Sequence, residues 1–276
     1  MKVAVVGHVE WADCAEVDRL PRPGEIVQAE FGWDVPAGGG AVAAVQLAKL
    51  AGECLFLTAL GDDELGHRAE RGLADLGVRV AAAWRGERQR RAFVHLSADD
   101  GERTITVLGD RLGPHAGDDL PWEELEEADA VYFTAGDAGA VVAAGQAGSL
   151  VATARAKRVL AAAGTQVDVL VASAVDEGER YGPGDIEPPP RFVARTEGVT
   201  GGSLETASGE RTHWTATRLP GPVIDTYGAG DSFAAGLTYG LADGRSMAEA
   251  LELGARCGAA SVTGRGPYDG QLSDPG

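Results

Sequence analysis

Five short apolar runs, each leading into a stretch that suits a helix, constrain this chain more than any other feature. They are "KVAVVG" (2–7), "CLFLTALG" (54–61), "DAVYFTAG" (129–136), "SLVATA" (149–154) and "DVLVAS" (168–173). Continuous apolar runs of this length, several closed by glycine, read as strands buried on both faces. Between them, "AVAAVQLAKLAG" (41–52) and "DELGHRAERGLADLGV" (63–78) carry helical spacing, the second with Leu65, Ala69, Leu73 and Leu76 on one side. Strands alternating with helices predict an α/β fold with a central, mostly parallel sheet and helices on both faces. A length of 276 residues suffices for one large α/β domain or two small ones.

Two regions break the rhythm. In "RRAFVHLSADDGERTITVL" (90–108), Ala92, Val94 and Leu96 alternate with Phe93, His95 and Ser97, and the run returns through "TITV" after "DDG". That is a hairpin. Residues 8–33 are punctuated by Pro and Gly and contain "EIVQAEF" (25–31) as a further short strand. Together these segments predict a small antiparallel sheet projecting from the main one as a lid. "PPP" (188–190) is a rigid connector, and "GSLETASGERTHWTAT" (202–217) reads as a second hairpin turned at "SGE".

The formal net charge is −18, which repels nucleic acid and anionic membrane surfaces. An anionic substrate would therefore need a local positive site. No apolar run reaches transmembrane length and "MKVAVVGHVEW" turns polar too soon for a signal peptide, so a cytoplasmic protein is expected. Cys14, Cys54 and Cys257 lie far apart with no C-x-x-C pair, against both a disulfide framework and a zinc site.

The chemistry is concentrated in "GPVIDTYGAGDSFAAGLTYGLADG" (221–244). Val223 and Ile224 read as the end of an extended run and the glycines as a turn. Phe233, Leu237 and Leu241 then form the stripe of a packed helix, with Gly244 as its stop. Gly236 and Gly240 weaken that helix by roughly 1 kcal/mol each relative to alanine, which close packing on the sheet would offset. Asp231 serves equally well as a helix cap or first-turn acid, but Ser232 beside it could cap alone. An acid next to an amide nest can also take a proton from an attacking hydroxyl while the amides hold a phosphoryl group. No Lys-Ser/Thr follows the glycines, so this is not a Walker A loop.

"DTYGAGDSFAAGL" closely resembles the D-T-x-G-A-G-D-x-F-x-A-G signature of the ribokinase-like (PfkB) sugar and nucleoside kinases. The likeness runs through nearly the whole chain: "GHVEWADCAEVDRLPRPGEIVQAEFGWDVPAGGG", "TALGDDELGHRAERGLADLGV" and "RTEGVTGG" are similar to successive family segments. The resemblance implies a single ribokinase-like domain over 1–276, with lid strands from about 8–33 and 90–108. It implies Asp231 as general base, with Gly228, Ala229 and Gly230 as the anion hole. Thr196, Gly198, Gly201, Ser173 and Ala255 would hold ATP, and Asp13, Gly38, Gly39, Gly40 and Val42 would line the acceptor site. Mg²⁺ would lie near Asp176 through water, and a K⁺ ion near Asp225. A sugar or nucleoside acceptor and a homodimer joined through the lid are also implied.

Three positions depart from the pattern. Val42 stands where the glycine turn usually carries asparagine, Ser173-Ala174-Val175-Asp176 replaces N-x-x-E, and Thr153 or Ala154 replaces a strand-end aspartate. They leave a second reading open, a weak or inactive member that binds sugar or nucleotide as a regulator. Use of a donor other than ATP is a third. His8 and His95 would either contact ligand across the lid or pack. Of the neighbours Arg90 and Arg91, at most one can face an anionic substrate. Trp11, Trp33 and Trp84 would stack on a ligand or cover the lid.

Overall fold

The computed structural model describes residues 1–98 and 101–276. Strand β1 (Val3–Val6) leads directly into β2 (Glu10–Val17) and β3 (Phe31–Ala37), then helix α1 (Gly39–Ala51), β4 (Cys54–Gly61), α2 (Glu64–Asp75) and β5 (Val78–Arg85). The hairpin β6 (Arg91–Ser97) and β7 (Arg103–Leu108) follows, and then β8 (Ala130–Phe133), α3 (Ala138–Ala144), β9 (Leu150–Thr153), α4 (Lys157–Ala163) and β10 (Val169–Ser173). The chain continues through β11 (Phe192–Thr196), β12 (Gly201–Thr206) and β13 (Arg211–Thr215) to α5 (Ala229–Ala242) and α6 (Met247–Ser261).

The main sheet has nine strands in the order β13-β12-β11-β10-β9-β8-β1-β4-β5. Every pairing from β11 to β5 is parallel; β12 and β13 close one edge as the expected antiparallel hairpin. Alternate residues feed two cores. Val3 and Val5 pack with α1, α5 and α6 on one face, while Ala4 and Val6 pack with α3 and α4 on the other. That two-sided burial is why the strands read as unbroken apolar runs. The chain departs from β1 toward β4 and β5 and later returns on its other side at β8, so strand order reverses between β1 and β8. In open α/β sheets, ligands collect in the crevice at such a switch point.

The lid is a four-stranded sheet in the order β3-β2-β6-β7. Its outer pairings are antiparallel and its central pairing, β2 with β6, is parallel. Ala92, Val94 and Leu96 are buried, as the alternation requires, and the turn residues Asp99 and Asp100 lie outside the described residues. The strand expected at 25–31 is instead Phe31–Ala37. Pairing of β2 runs from Glu16 opposite Phe31 to Glu10 opposite Ala37, which leaves 25–30 as a connector with Ile26 exposed. Pro36 is tolerated because β3 is an edge strand. Its carbonyl accepts the Tyr268 hydroxyl at 2.6 Å.

Two further expectations are corrected. Val223 and Ile224 belong to no strand; the Ile224 amide donates to the Val262 carbonyl at 2.8 Å instead. The glycines of α5 face helix α6 rather than the sheet. A Cβ at Gly236 would lie 2.7 Å from Cys257 Sγ and 3.0 Å from Gly254 Cα, and one at Gly240 would lie 2.7 Å from Ala250 Cα. The end of α5 is as expected. Gly244, at φ +71°, donates to Leu241 and Arg245 donates to Gly240, which together make a Schellman stop.

Gly236→Ala therefore separates two effects. Helix propensity alone would stabilise by about 1 kcal/mol. The new methyl meets backbone atoms that cannot turn aside, and overpacking costs about 1–3 kcal/mol. Net destabilisation in urea unfolding is expected, and a gain would refute the tight α5–α6 contact.

Candidate active site

Gly38, Gly39 and Gly40 stand where the lid returns to the main sheet and α1 begins. A Cβ at Gly38 would press on Glu10, one at Gly40 would lie 2.8 Å from the His8 carbonyl, and one at Gly39 would lie 2.8 Å from Asp231 Oδ1. Only glycine lets the main chain close so tightly around the carboxylate. On the other side Gly228, at φ +80°, ends a turn and starts α5; a Cβ there would meet Val42 Cγ1 at 2.8 Å. Ser232 makes the first intrahelical bond, to Gly228. Among the described residues, the Gly230 and Asp231 amides have no partner. Gly230 borders open space. Unpaired amides and the helix dipole make this end a seat for an anion.

Asp231 lies half-buried in this seat. Burial first, and Glu179 next, push its carboxyl up to about 7, against the pull of Arg155 and Arg103. His8 is buried close by, its Nδ1 3.5 Å from Thr134 Oγ1 and its Nε2 3.9 Å from Glu10 Oε1. Burial, then Arg111, Arg90 and Arg155, hold the imidazole well below its ordinary range, so it is neutral. Glu10 accepts from Arg90 Nε at 2.6 Å. Arg103 reaches over from the lid, donating to Thr226 Oγ1 at 2.8 Å and lying 5.3 Å over the Tyr227 ring.

A second group lies at the ends of β10, β11 and β12. Thr196 donates through Oγ1 to the Ala172 carbonyl, and its own carbonyl accepts the Ala174 amide at 2.9 Å. Gly198 takes φ +61° with open space beside it, and Gly201 takes φ +105° against the Trp214 carbonyl. Ser173 is buried and its Oγ accepts the Val175 and Asp176 amides, so it caps a turn. Arg155 donates to Asp176 and, at 2.9 Å, to Glu179.

Several expected residues are placed elsewhere. Asp13 is on the opposite face of β2 from Glu10 and Ala12, paired with Arg91 at 3.0 Å. The inward carboxylate is Glu10, which sequence reading missed because it depends on strand phase alone. Val42 is fully buried and packs on the glycine turn, so it offers no substrate contact. Ala255 is a half-buried residue of α6 that packs on the core. Asp225 is buried, and its two oxygens accept the Tyr227 and Gly266 amides at 2.9 Å each, which ties the turn to the C-terminal loop. Among the described residues no group of three or more His, Cys, Asp or Glu side chains gathers for a metal. His95 and Trp33 belong to the lid sheet, and Trp84 packs against His67.

The sequence matches the pfkB family carbohydrate kinase pattern over residues 1–181 and 174–274. The chain belongs to this family. It is 30% identical to an ATP-dependent ribose-1-phosphate kinase of Halopiger xanaduensis, over 99% of this chain and 96% of the relative. It is 28% identical to an aminoimidazole riboside kinase of Salmonella typhimurium over 86% of each. The fold is that of a ribokinase from Arabidopsis thaliana solved with ribose and ATP, at a TM-score of 0.76 with 22% identity, over 99% of this chain and 96% of that one. A structure described as a putative ribokinase from Agrobacterium tumefaciens superposes at 0.82 with 22% identity, over 99% and 94%. The protein is thus a pfkB-type kinase with a ribokinase-like fold. No helix among its described residues is long and apolar enough to cross a membrane.

The raised Asp231 carboxyl has a consequence for stability. Its unfolded value is near 3.8 and its folded value about 7, so its contribution to stability is complete below the first and lost as pH rises through the second. Asp231→Asn carries no charge to bury. Its melting temperature relative to the parent should climb between pH 4 and 7 and then level off; a flat difference would show that the carboxyl is not perturbed.

Proposed function

We propose that this kinase transfers the γ-phosphoryl group of ATP to a hydroxyl, by preference a hydroxymethyl group, of a sugar, sugar derivative or nucleoside. One observation carries the reading: a carboxyl poised near 7 stands at a helix N-terminus with unpaired amides beside it. A base works best when its pKa lies near the operating pH. Asp231 takes the acceptor's proton as the oxygen bonds to the γ-phosphorus. The bond from that phosphorus to the bridging oxygen breaks, and ADP leaves with the electron pair. Gly228, Ala229 and Gly230 would meet charge on the transferring group, the unpartnered Gly230 amide first and the Ala229 amide after release from the Thr226 carbonyl, where one lost donor costs about 10²–10³ in rate.

The acceptor is read as lying over Gly38–Gly40, with Glu10 as its inward acceptor of hydroxyl protons in place of Asp13. Thr196, Gly198 and Gly201 would hold the nucleotide, with Ser173 shaping the loop beneath it. Asp176 and Glu179 suit an ion held chiefly by nucleotide phosphates and reached through water. Mg²⁺ there would neutralise phosphate charge. A K⁺ ion near Asp225 is not needed for its two amide bonds. We also read the protein as a homodimer through the lid, because Phe93 and Leu108 on one face and Ile105 and Val107 on the other are left exposed. Light scattering should return twice the 28.4 kDa chain mass, and a monomer mass would refute it.

The regulator reading draws on Val42 and Ser173, both given over to packing and capping. Transfer of labelled phosphate from ATP to a panel of pentoses, hexoses and nucleosides decides between them. Turnover should rise with pH through about 7, and Asp231→Asn should lower kcat by about 10²–10⁴. Binding of acceptor and ATP without transfer would favour the regulator.

A further inference from the structure

The family resemblance implies a K⁺ ion near Asp225, and the oxygens around that residue do not fit one. Such an ion takes a shell of oxygens, backbone carbonyls above all. Asp225 turns its two oxygens to the Tyr227 and Gly266 amides at 2.9 Å each. The Val262 carbonyl accepts the Ile224 and Asp225 amides at 2.8 and 3.3 Å, and the Ser261 carbonyl accepts the Gly264 amide at 3.4 Å. The Tyr268 carbonyl takes the Lys49 ammonium and, at 3.2 Å, the Gln271 amide. The loop is also closed on itself: a Cβ at Gly264 would lie 2.1 Å from the Gly270 nitrogen, and one at Gly270 would lie 2.6 Å from the Ser261 carbonyl oxygen. Oxygens that already serve protein donors, in a loop packed this closely, form no seat for an ion.

Positive charge comes from the lid instead. Arg103 opens β7; its Nη1 donates to Thr226 Oγ1 at 2.8 Å, and its guanidinium lies 5.3 Å over the Tyr227 ring. Thr226 links that contact to the turn at 228–230. Its hydroxyl donates to the Gly101 carbonyl at 3.3 Å, and its own carbonyl accepts the Ala229 amide at 3.5 Å. Gly101 takes φ +70°, and a Cβ there would lie 2.9 Å from the Ile224 carbonyl oxygen, so the lid sits directly on residues 224–226. Burial raises the Asp225 carboxyl, opposed by the two amides and by the charges of Arg103 and Arg265. Arg265 is committed to Glu16 and to the rings of Phe31 and Trp33. Arg103 keeps its Nε buried without a hydrogen-bond partner, an uncommon state that marks a side chain held by other demands. We infer that Arg103 is a positioning residue: its guanidinium, acting through Thr226, stands in for a monovalent cation behind the turn at 228–230, so that the protein works without K⁺. This goes beyond the kinase reading, and its first test does not depend on that reading.

Melting of the full chain in KCl, NaCl and tetramethylammonium chloride at equal ionic strength, with calorimetric titration of a non-hydrolysable ATP analogue in each, tests this without turnover. Equal ionic strength keeps screening constant. Melting temperature and affinity should be the same in all three salts, and a rise of either confined to KCl would overturn the inference. Arg103→Gln should lower kcat about tenfold or more and leave the KM for ATP within about twofold, because the lost contact shapes the turn for the transition state. Arg103→Lys keeps a charge and should recover part of that loss. Thr226→Val removes the hydroxyl that Arg103 meets, so the double variant with Arg103→Gln should melt no lower than the less stable single variant. An unchanged kcat in Arg103→Gln, no recovery by lysine, or melting losses that simply add would each overturn the inference. If no acceptor is phosphorylated at all, the kinase reading falls, and the salt series and the melting cycle still decide whether Arg103 takes the ion's place.

Discussion

The structure depends on a carboxylate enclosed by main chain. Asp231 lies where the glycine turn at 38–40 meets the glycine turn at 228–230, and side chains at Gly39 or Gly228 would force the two apart. Closure brings the start of α1 against the start of α5. It also removes water from around Asp231, which outweighs the arginines nearby and lifts the carboxyl. Much of the remaining structure holds the two turns in place. Gln271 bonds both the Val42 carbonyl and the Ser232 hydroxyl, Lys49 holds the Tyr268 carbonyl, and Asp225 clamps the turn from behind.

The lid joins the same construction. The Gly101 carbonyl accepts from the Thr226 amide and hydroxyl, and Arg103 lies on Thr226 and Tyr227. Arg265, from the C-terminal loop, reaches Glu16 at 2.8 Å and stacks on Phe31 and Trp33. The lid thus touches the residues immediately before the base. Two lid residues bear on the base in opposite senses: Arg103 lowers the pKa of Asp231 and Glu10 raises it, both less than burial does.

The sheet and the two glycine turns were legible because each depends on local requirements: continuous apolar runs for buried strands, and residues without Cβ for close backbone approach. Placement across elements was not. Asp13 and Glu10 are both acidic residues of one strand, and a shift of one residue exchanges their faces; only pairing with β3 and β6 fixes the phase. Strand β3 was hidden by Gly32 and Pro36, which suit an edge and nothing more central. Gly236 and Gly240 announced a close contact without saying with what. Arg111, from a loop after the lid, lines one cavity with Arg155 and Arg158 from the turn and helix after β9, and nothing in sequence spacing relates Arg111 to that pair.

Apart from Val42 at the glycine turn, the departures from the family pattern lie together, which bears on whether they reflect decay. Thr153, which with Ala154 stands at the place of a strand-end aspartate, accepts the Arg155 amide. Arg155 in turn binds Asp176, the shortened acid of the altered N-x-x-E motif, and Glu179 beyond it. Ser173, in place of the asparagine, accepts the amide of that same Asp176. The substitutions at 153, 173 and 176 thus meet in one bonded network about Arg155 and Asp176. Decay would leave unpaired groups at each altered position. Here each altered residue in this group has a partner, and the one guanidinium is shared by two carboxylates.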